Sequence, residues 1–200
     1  MKRISVLPVL AGVALFTAAC AKEPTEALTA AKTALEAAKT AEAADYAPEA
    51  LAAAETAQAA LEAEIKAQGE KFALTRSYTK SAELATAAKA AAESAATAAA
   101  AGKEAMKVEA TALVAGVRAA VETTKQVLAK APKGKGSAAD LEAMNADVTG
   151  VETSLADMDA ALAAGKYKDA KAKADAAKAT LDKIAADVQA AIDAKKGAKK

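Results

Sequence analysis

A single cysteine and a group of lysines near the carboxyl terminus are the residues of this sequence best suited to chemistry. Cys20 is the one cysteine of the 200 residues, and the chain has no histidine. Zinc sites that combine Cys with His, Cys-His and Ser-His-Asp nucleophilic sets, and haem ligation through histidine therefore lack an essential side chain. We expect no catalytic residue, no metal site and no cofactor.

The acidic residues and the glycines do not indicate an active site either. Asp and Glu alternate with Lys at spacings of three or four residues, where surface ion pairs form on a helix. A catalytic carboxylate pair needs a pocket that shifts its pKa values, and alanine-lined helices offer none. Gly134 and Gly136 follow no strand, so they are not a phosphate-binding loop. The pattern favours a protein that is not an enzyme and has no small-molecule substrate.

Cys20 follows a segment with the pattern of an export signal. Lys2 and Arg3 are basic, Ile4–Phe16 is apolar, and the small residues 17–19 precede the cysteine. The apolar run is shorter than the roughly 20 residues that span a bilayer, and it has the length of a signal-peptide core. Small residues directly before a cysteine resemble the cleavage motif of bacterial lipoproteins, although threonine stands at position 17 where leucine is usual.

This resemblance predicts a lipoprotein signal peptide over 1–19 and a lipid on the Cys20 thiol. A lone thiol cannot close an internal disulfide, and two or three acyl chains would anchor the chain firmly to a membrane. Ala21, next to the cysteine, resembles Gram-negative sorting patterns for the outer membrane, facing the periplasm; the inner membrane and the cell surface are alternatives. The leader is also compatible with ordinary cleavage after Ala19, which leaves a free Cys20, and with an anchor that is never cleaved.

The charge balance argues against nucleic acid as a partner. The chain has 27 basic and 26 acidic residues, whereas phosphate binding needs a basic excess on one face. A small cationic tail at Lys195, Lys196, Lys199 and Lys200 is the exception, and we expect these lysines to interact with the helix dipole. The alternative is that the tail contacts an anionic envelope polymer or lipid surface. A subsidiary hypothesis is covalent attachment through the terminal Lys200.

Composition and periodicity predict an all-α protein. About a third of the residues are alanine, the best helix former, and bulky core residues are few. Pro48, Gly69, the 131–136 linker and Gly165 mark the ends of five long helices, which would pack as an elongated, antiparallel, coiled-coil-like bundle. The predicted helices are 25–44, 48–68, 70–131, 137–164 and 167–194.

Apolar residues at alternating spacings of three and four predict the helix faces that pack together. The predicted seams of the last three helices are Met106, Ala110, Leu113, Val117, Ala120, Thr124 and Val127; Leu141, Met144, Val148, Val151, Leu155, Met158 and Leu162; and Tyr167, Ala170, Ala174, Ala177, Leu181, Ile184, Val188 and Ala191. The earlier seam is Leu28, Leu35, Leu51, Ala54, Gln58, Leu61, Ile65 and Phe72. We expect a looser three-helix region over 20–102 and a C-terminal three-helix bundle with a basic tail over 103–200, with the third helix continuous across 102.

Several residues of the first half resemble a known family. They are Asp45-Tyr46-Ala47-Pro48-Glu49-Ala50-Leu51, Ala54, Tyr78, Ala82, Glu83-Leu84-Ala85, Ala88, Ala92 and Ala95-Ala96. They are similar to the domain-of-unknown-function 4398 family, alanine-rich helical domains of exported bacterial lipoproteins, some joined to peptidoglycan-binding modules. The resemblance covers about 23–100 and implies an envelope location without known catalysis. It transfers no functional residue, and only further helices follow here in place of a peptidoglycan-binding module.

Together these features predict a lipid-anchored envelope protein that acts as a structural or spacer element. The alternative is a binding adaptor that docks an envelope protein or peptidoglycan through a helical face or the basic tail. An adaptor would bring down a stoichiometric partner on crosslinking, whereas a spacer would not.

Overall fold

The computed structural model describes residues 22–132 and 138–197, and these residues form helices joined by short turns. The prediction of an all-α bundle with five long helices is confirmed. A short sixth helix precedes Pro48, and the described residues include no strand. The helices are α1 Thr25–Thr40, α2 Ala43–Tyr46, α3 Pro48–Glu70, α4 Thr79–Ala129, α5 Ala138–Ala163 and α6 Tyr167–Gly197.

The helices form two compact units. Among the described residues, the first unit contains 22–40 together with Glu49–Ala95, and the second contains Ala41–Pro48 together with 96–132 and 138–197. Their bounds differ from the regions 20–102 and 103–200 expected from the sequence, because the short segment around α2 packs with the later helices. Helix α4 contributes residues to both units and passes through Gly102 and Gly116 without a break.

The first unit is an antiparallel arrangement of α1, α3 and the beginning of α4. Lys39 lies 3.5 Å from Glu55, and Lys32 lies 4.0 Å from Glu62, which fixes the opposite directions of α1 and α3. Three of the four buried residues in its apolar cluster are alanines, which let helices approach closely but bury little area each. The cluster consists of Ala31, Leu61, Ala85 and Ala88.

The second unit packs α5 antiparallel to both α4 and α6. Arg118 of α4 pairs with Asp159 of α5 at 3.0 Å, and Lys173 of α6 lies 3.4 Å from Asp157. Its core contains larger side chains than the first unit's. The buried members are Val114, Val117, Val121, Leu128, Ala131, Val148, Val151, Met158, Ala174, Ala177, Leu181, Ile184 and Val188.

The turn between α5 and α6 follows the Schellman pattern, in which a left-handed residue ends the helix. Gly165 has a φ of 73°, a conformation that costs glycine no side-chain clash. Its N–H donates to the Leu162 carbonyl at 3.1 Å, and the Lys166 N–H donates to the Ala161 carbonyl at 2.9 Å. These bonds satisfy carbonyls at the end of α5 and reverse the chain within three residues.

Two helix boundaries predicted from the sequence are wrong. The third long helix begins at Thr79 and not near Glu70, because residues 71–78 form a hydrogen-bonded turn after α3. The first helix ends at Thr40 and not near residue 44, because Glu42 has a left-handed φ of 61°. Phe72, predicted as a seam residue, is 71% exposed since it lies in the turn.

The predicted seam of α4 also needs correction. Val114, Val121 and Leu128 are buried, whereas the predicted seam residues Leu113 and Val127 are only partly buried. A helix that packs against two neighbours buries a broader face than a single a/d stripe, and this displaces the centre of the face. In α6, the predicted seam residue Ala191 is exposed, and the helix continues to Gly197, beyond its predicted end at residue 194.

Candidate functional site

Three lysines gather at one end of the second unit. Lys195 and Lys196 are exposed in the last turn of α6, and Lys130 directly follows α4. With Pro132 and Ile192 they line a cavity of about 180 Å³. We call Lys130, Lys195 and Lys196 the lysine end.

The direction of the helices explains why these lysines meet. Lys171 of α6 lies 3.3 Å from Glu109 of α4, and both helices run antiparallel to α5, so α4 and α6 run parallel. Two helix carboxyl ends therefore lie at the same end of the unit, where their partial negative charges favour cations. The Lys196 ammonium is also 3.7 Å from the Asp193 carboxylate. The surroundings stabilise the lysines, and the outward side chains leave room for an anionic ligand.

The other site residues predicted from the sequence lie outside the described residues. Cys20, Lys199 and Lys200 are among them, so the lipid site and the final lysines stay predictions. The structure brings Lys195 and Lys196 together and adds Lys130, which sequence reasoning missed. The sequence does contain a feature that could have indicated it. In an up-down-up bundle the first and third helices run parallel, so Lys130 at the end of α4 lies at the same end as the last residues of α6.

A groove with acidic residues adjoins this end of the unit. Its cavity of about 490 Å³ is lined in part by Asp140, Asp147 and Asp187, with Met144 and Val188 among its apolar residues. Over residues 22–132 and 138–197, no group of Asp, Glu, His or Cys side chains could hold a metal ion. The groove therefore has the composition of an open helix–helix interface, with carboxylates around apolar side chains.

A close backbone contact holds the α2 segment against α4. A Cβ atom placed on Gly102 would lie 2.4 Å from the Tyr46 carbonyl oxygen, so only glycine fits without displacement. Lys103, the next residue, pairs with Glu42 at 2.6 Å, and its ammonium is 5.8 Å from the centre of the Tyr46 ring. Lys168 of α6 pairs with Asp45 at 2.9 Å. We call this set of contacts the tyrosine clamp.

The electrostatics of the tyrosine clamp favour its paired charges. Burial raises the pKa of the Tyr46 hydroxyl, and the nearby Glu42 carboxylate raises it further. Hydrogen bonds to Glu42 and Asp45 raise the pKa values of Lys103 and Lys168 respectively. A cavity of about 320 Å³ lies beside these groups. The arrangement joins three helices through opposite charges, and it holds no activated nucleophile.

Comparison with known proteins gave no relative. No protein-family model matches the chain, and no curated protein or solved structure does. Among the described helices, none combines the length and apolar character needed to cross a membrane.

Proposed function

We propose that this chain is a non-catalytic, lipid-anchored protein of the bacterial cell envelope that acts as a structural or spacer element. The observation that carries the proposal is the apolar leader followed by small residues and Cys20. Helix α1 begins at Thr25, so a short polar stretch links the proposed anchor to the first folded element. The lone thiol then serves as the attachment point for acyl chains.

The helical architecture supports a structural role. Helices α5 and α6 contain 26 and 31 residues, which correspond to about 39 and 46 Å of rise. Opposite charges link neighbouring helices along the second unit, as between Lys125 and Glu152. Long alanine-rich helices of this kind span a large distance with a simple sequence, and their surfaces carry paired charges.

Replacing the cysteine tests the anchor. Cys20→Ser should abolish incorporation of a labelled fatty acid, because the hydroxyl cannot form the thioether on which lipoprotein processing depends. The matched control adds Ala44→Cys to Cys20→Ser, which restores one exposed thiol away from the leader junction and should not restore labelling. Labelling that persists in Cys20→Ser, or that never occurs in the unaltered chain, would refute the anchor.

A second candidate function is favoured by the lysine end. An adaptor would use Lys130, Lys195 and Lys196 to dock an anionic envelope polymer such as peptidoglycan. The double variant Lys195→Glu, Lys196→Glu should sediment less with purified sacculi at low salt, and the difference should shrink as the Debye length falls to about 8 Å at 0.15 M. Lys178→Glu with Lys183→Glu makes the same charge change in the middle of α6. If both double variants bind sacculi like the unaltered chain, the adaptor hypothesis is wrong and only the spacer hypothesis remains.

We further propose that the chain is a member of the domain-of-unknown-function 4398 family. The residues that support this include the Tyr46-Ala47-Pro48 segment, whose tyrosine carbonyl approaches Gly102 in the tyrosine clamp. If the clamp is a shared feature, other members with this segment should have glycine at the facing helical position. A bulky residue there in most members would contradict a shared clamp.

A further inference from the structure

Two large apolar side chains project from the turn between α3 and α4. Phe72 is 71% exposed and Leu74 is 78% exposed, in a chain that has only two phenylalanines. They flank Ala73 in a single 3₁₀ turn, Ala73–Thr75. We call Phe72 and Leu74 the apolar tip. Contiguous exposed apolar surface marks contact sites, whereas hydrophobic residues scattered singly over a surface are ordinary.

The turn that carries the apolar tip is held by hydrogen bonds. The Arg76 guanidinium donates to the Lys71 carbonyl at 3.0 Å and to the Gly69 carbonyl at 2.9 Å, which closes the end of α3. The Thr75 N–H and hydroxyl both donate to the Phe72 carbonyl at 2.8 Å. Because these bonds fix the backbone, the two apolar side chains stay directed away from the helices.

The apolar tip lies at the end of the first unit where the chain enters α1. Lys39 is beside Glu55, and Lys32 is beside Glu62. A step of seven residues toward the start of α1 therefore corresponds to a step of seven residues toward the end of α3. A further seven steps place Thr25 opposite Gly69. Packing agrees, because one apolar cluster includes residues from the start of α1, the end of α3 and the start of α4; they are Leu28, Ile65 and Leu84.

We propose that the apolar tip inserts into the surface of the lipid bilayer beside the anchor. This inference rests on the proposed function, since a lipid on Cys20 would bring the apolar tip to the membrane. Thr25 follows Cys20 by five residue steps, and an extended chain of that length reaches at most about 18 Å. The anchor therefore keeps this end of the first unit within reach of the headgroups.

The side chains around the apolar tip suit a lipid surface better than a protein groove. Lys71 is exposed directly before the turn, where its ammonium can meet anionic headgroups while Phe72 and Leu74 enter the acyl boundary. Arg76 adds a second positive charge on the other side of the turn, where its guanidinium also holds the backbone. One lipidated attachment leaves the protein free to pivot about its anchor. A second, shallow contact at the apolar tip would set the angle of α1 and α3 to the membrane.

The absence of tryptophan from the chain makes a direct test available. The full lipidated chain with Phe72→Trp is placed in vesicles of phosphatidylethanolamine and phosphatidylglycerol. We expect its emission to shift to shorter wavelength and to be quenched by lipids with brominated acyl chains. The control is Thr40→Trp, an exposed position at the far end of α1, about 23 Å from Thr25 along the helix. It should respond to aqueous iodide and not to brominated lipid.

A second measurement separates the apolar tip from the anchor. The full chain with Cys20→Ser is mixed with the same vesicles, and its partitioning is compared with and without the added changes Phe72→Ser and Leu74→Ser. The chain that keeps Phe72 and Leu74 should partition into the vesicles about tenfold more strongly than the chain with both serine substitutions. Melting curves check that the variants fold alike, which the exposure of both side chains predicts.

Each outcome decides one of the two proposals. If fatty-acid labelling succeeds but Phe72→Trp is not quenched by brominated lipid, the apolar tip meets water or protein, and this inference is wrong while the anchor stands. If labelling fails, the anchor is wrong, and the vesicle partitioning of the Cys20→Ser chain decides the apolar tip on its own. Equal partitioning with and without Phe72 and Leu74 overturns the insertion.

Discussion

The two units of this protein both pack helices around an apolar core, but the side chains that fill the two cores differ in size. In the first unit the apolar cluster has Leu61 as its one large buried member, with three buried alanines and the partly buried Leu28, Ile65 and Leu84 packed around it. In the second unit valines, leucines, an isoleucine and Met158 fill the space between three helices. Apolar burial contributes about 25 cal/mol per Å², so the second core gains more per residue. High helix propensity favours the helices of both units, and we expect the larger side chains in the second core to make that unit the more stable.

The first unit also contains polar groups that its core does not satisfy. Ser81 is fully buried, and its hydroxyl has no hydrogen-bond partner; the side-chain oxygen of the buried Gln58 has none either. A buried polar group without a partner costs roughly 1–3 kcal/mol. The first unit should therefore open more readily than the second, as the weaker seam in its sequence predicts.

The largest effect should come from truncating two leucines, one in each unit, that are fully buried among the described residues. Leu61→Ala and Leu181→Ala should each lower the free energy of unfolding by about 2–5 kcal/mol, through lost burial and the cavity left behind. We expect Leu61→Ala to unfold the first unit at low denaturant, because Leu61 is the one large buried side chain of its cluster and the other large members, Leu28, Ile65 and Leu84, are only partly buried. Amide hydrogen exchange resolved by residue measures each unit separately. Leu74→Ala, at an exposed position, is the control, and equal protection losses in the two units would contradict the comparison.

Two glycines of α4 should respond to alanine in opposite ways. Gly102→Ala should destabilise the tyrosine clamp by about 1–3 kcal/mol, because the new Cβ would overlap the Tyr46 carbonyl. Gly116→Ala meets no atom within 4 Å and should stabilise the second unit by about 0.5–1 kcal/mol. Thermal unfolding of the two variants gives both signs. If Gly102→Ala is as stabilising as Gly116→Ala, the α2 segment is not held against Gly102.

Removing the buried hydroxyl should strengthen the first unit. Ser81→Ala leaves no unpaired oxygen and should raise the free energy of unfolding by about 1 kcal/mol. Ser94→Ala, at an exposed position of the same helix, gives only the smaller gain in helix propensity. Denaturant titration of the two variants separates these contributions. A Ser81→Ala effect no larger than that of Ser94→Ala would mean that the hydroxyl has a partner in solution.

The smallest expected difference is the response to pH. Hydrogen bonds from Gln68 and Lys80 lower the pKa of Glu64 in the first unit. A lowered pKa gives stability that is present above the unfolded pKa and is lost as pH falls through the folded pKa. The first unit should therefore lose protection below about pH 4, near the usual pKa of glutamate. Glu64→Gln should weaken this acid dependence, as followed by hydrogen exchange; an unchanged acid profile would remove Glu64 as a cause.

The second unit should respond in the opposite range. Tyr46, Lys103 and Lys168 all have raised pKa values, through burial for the tyrosine and through hydrogen bonds for the lysines. A raised pKa gives stability that is full below the unfolded pKa and is lost as pH rises through the folded pKa. We expect the tyrosine clamp to loosen above about pH 10. Lys168→Met should reduce this loss of stability at alkaline pH, as measured by thermal unfolding at increasing pH. Ultraviolet titration of the tyrosines follows the ionisation of their hydroxyls in the same range.

The sequence predicted much of the second unit because its signals are local. Val148, Val151 and Met158 follow the 3-4 spacing of α5, and Gly165 marks its end, so one face and one turn determine the hairpin. The turn over residues 71–78 was missed because it contains no proline or glycine. Its backbone is held instead by side chains such as Gln68, whose oxygen accepts the Ser77 N–H at 3.1 Å. Propensity alone cannot reveal such a bond.

The candidate sites were predictable only in part for a similar reason. Lys195 and Lys196 are adjacent in the sequence, but Lys130 joins them through the parallel direction of α4 and α6. The sequence predicted a helix that continues across Gly102, whereas the role of this glycine depends on the Tyr46 carbonyl far away along the chain. Contacts between segments that are distant in the sequence depend on how the helices pack together, and helical periodicity alone does not predict them.

The Schellman turn at Gly165 also bears on the order in which the chain folds. It joins two long helices through a few residues, so the contacts between α5 and α6 begin close to the turn and have small sequence separation. Chains with such local contacts fold fastest, because little loop entropy is lost before the first apolar contacts form. We therefore expect the α5–α6 hairpin to gain exchange protection earliest during refolding. Helix α4 would then dock on this preformed pair, and the first unit would be the last to assemble.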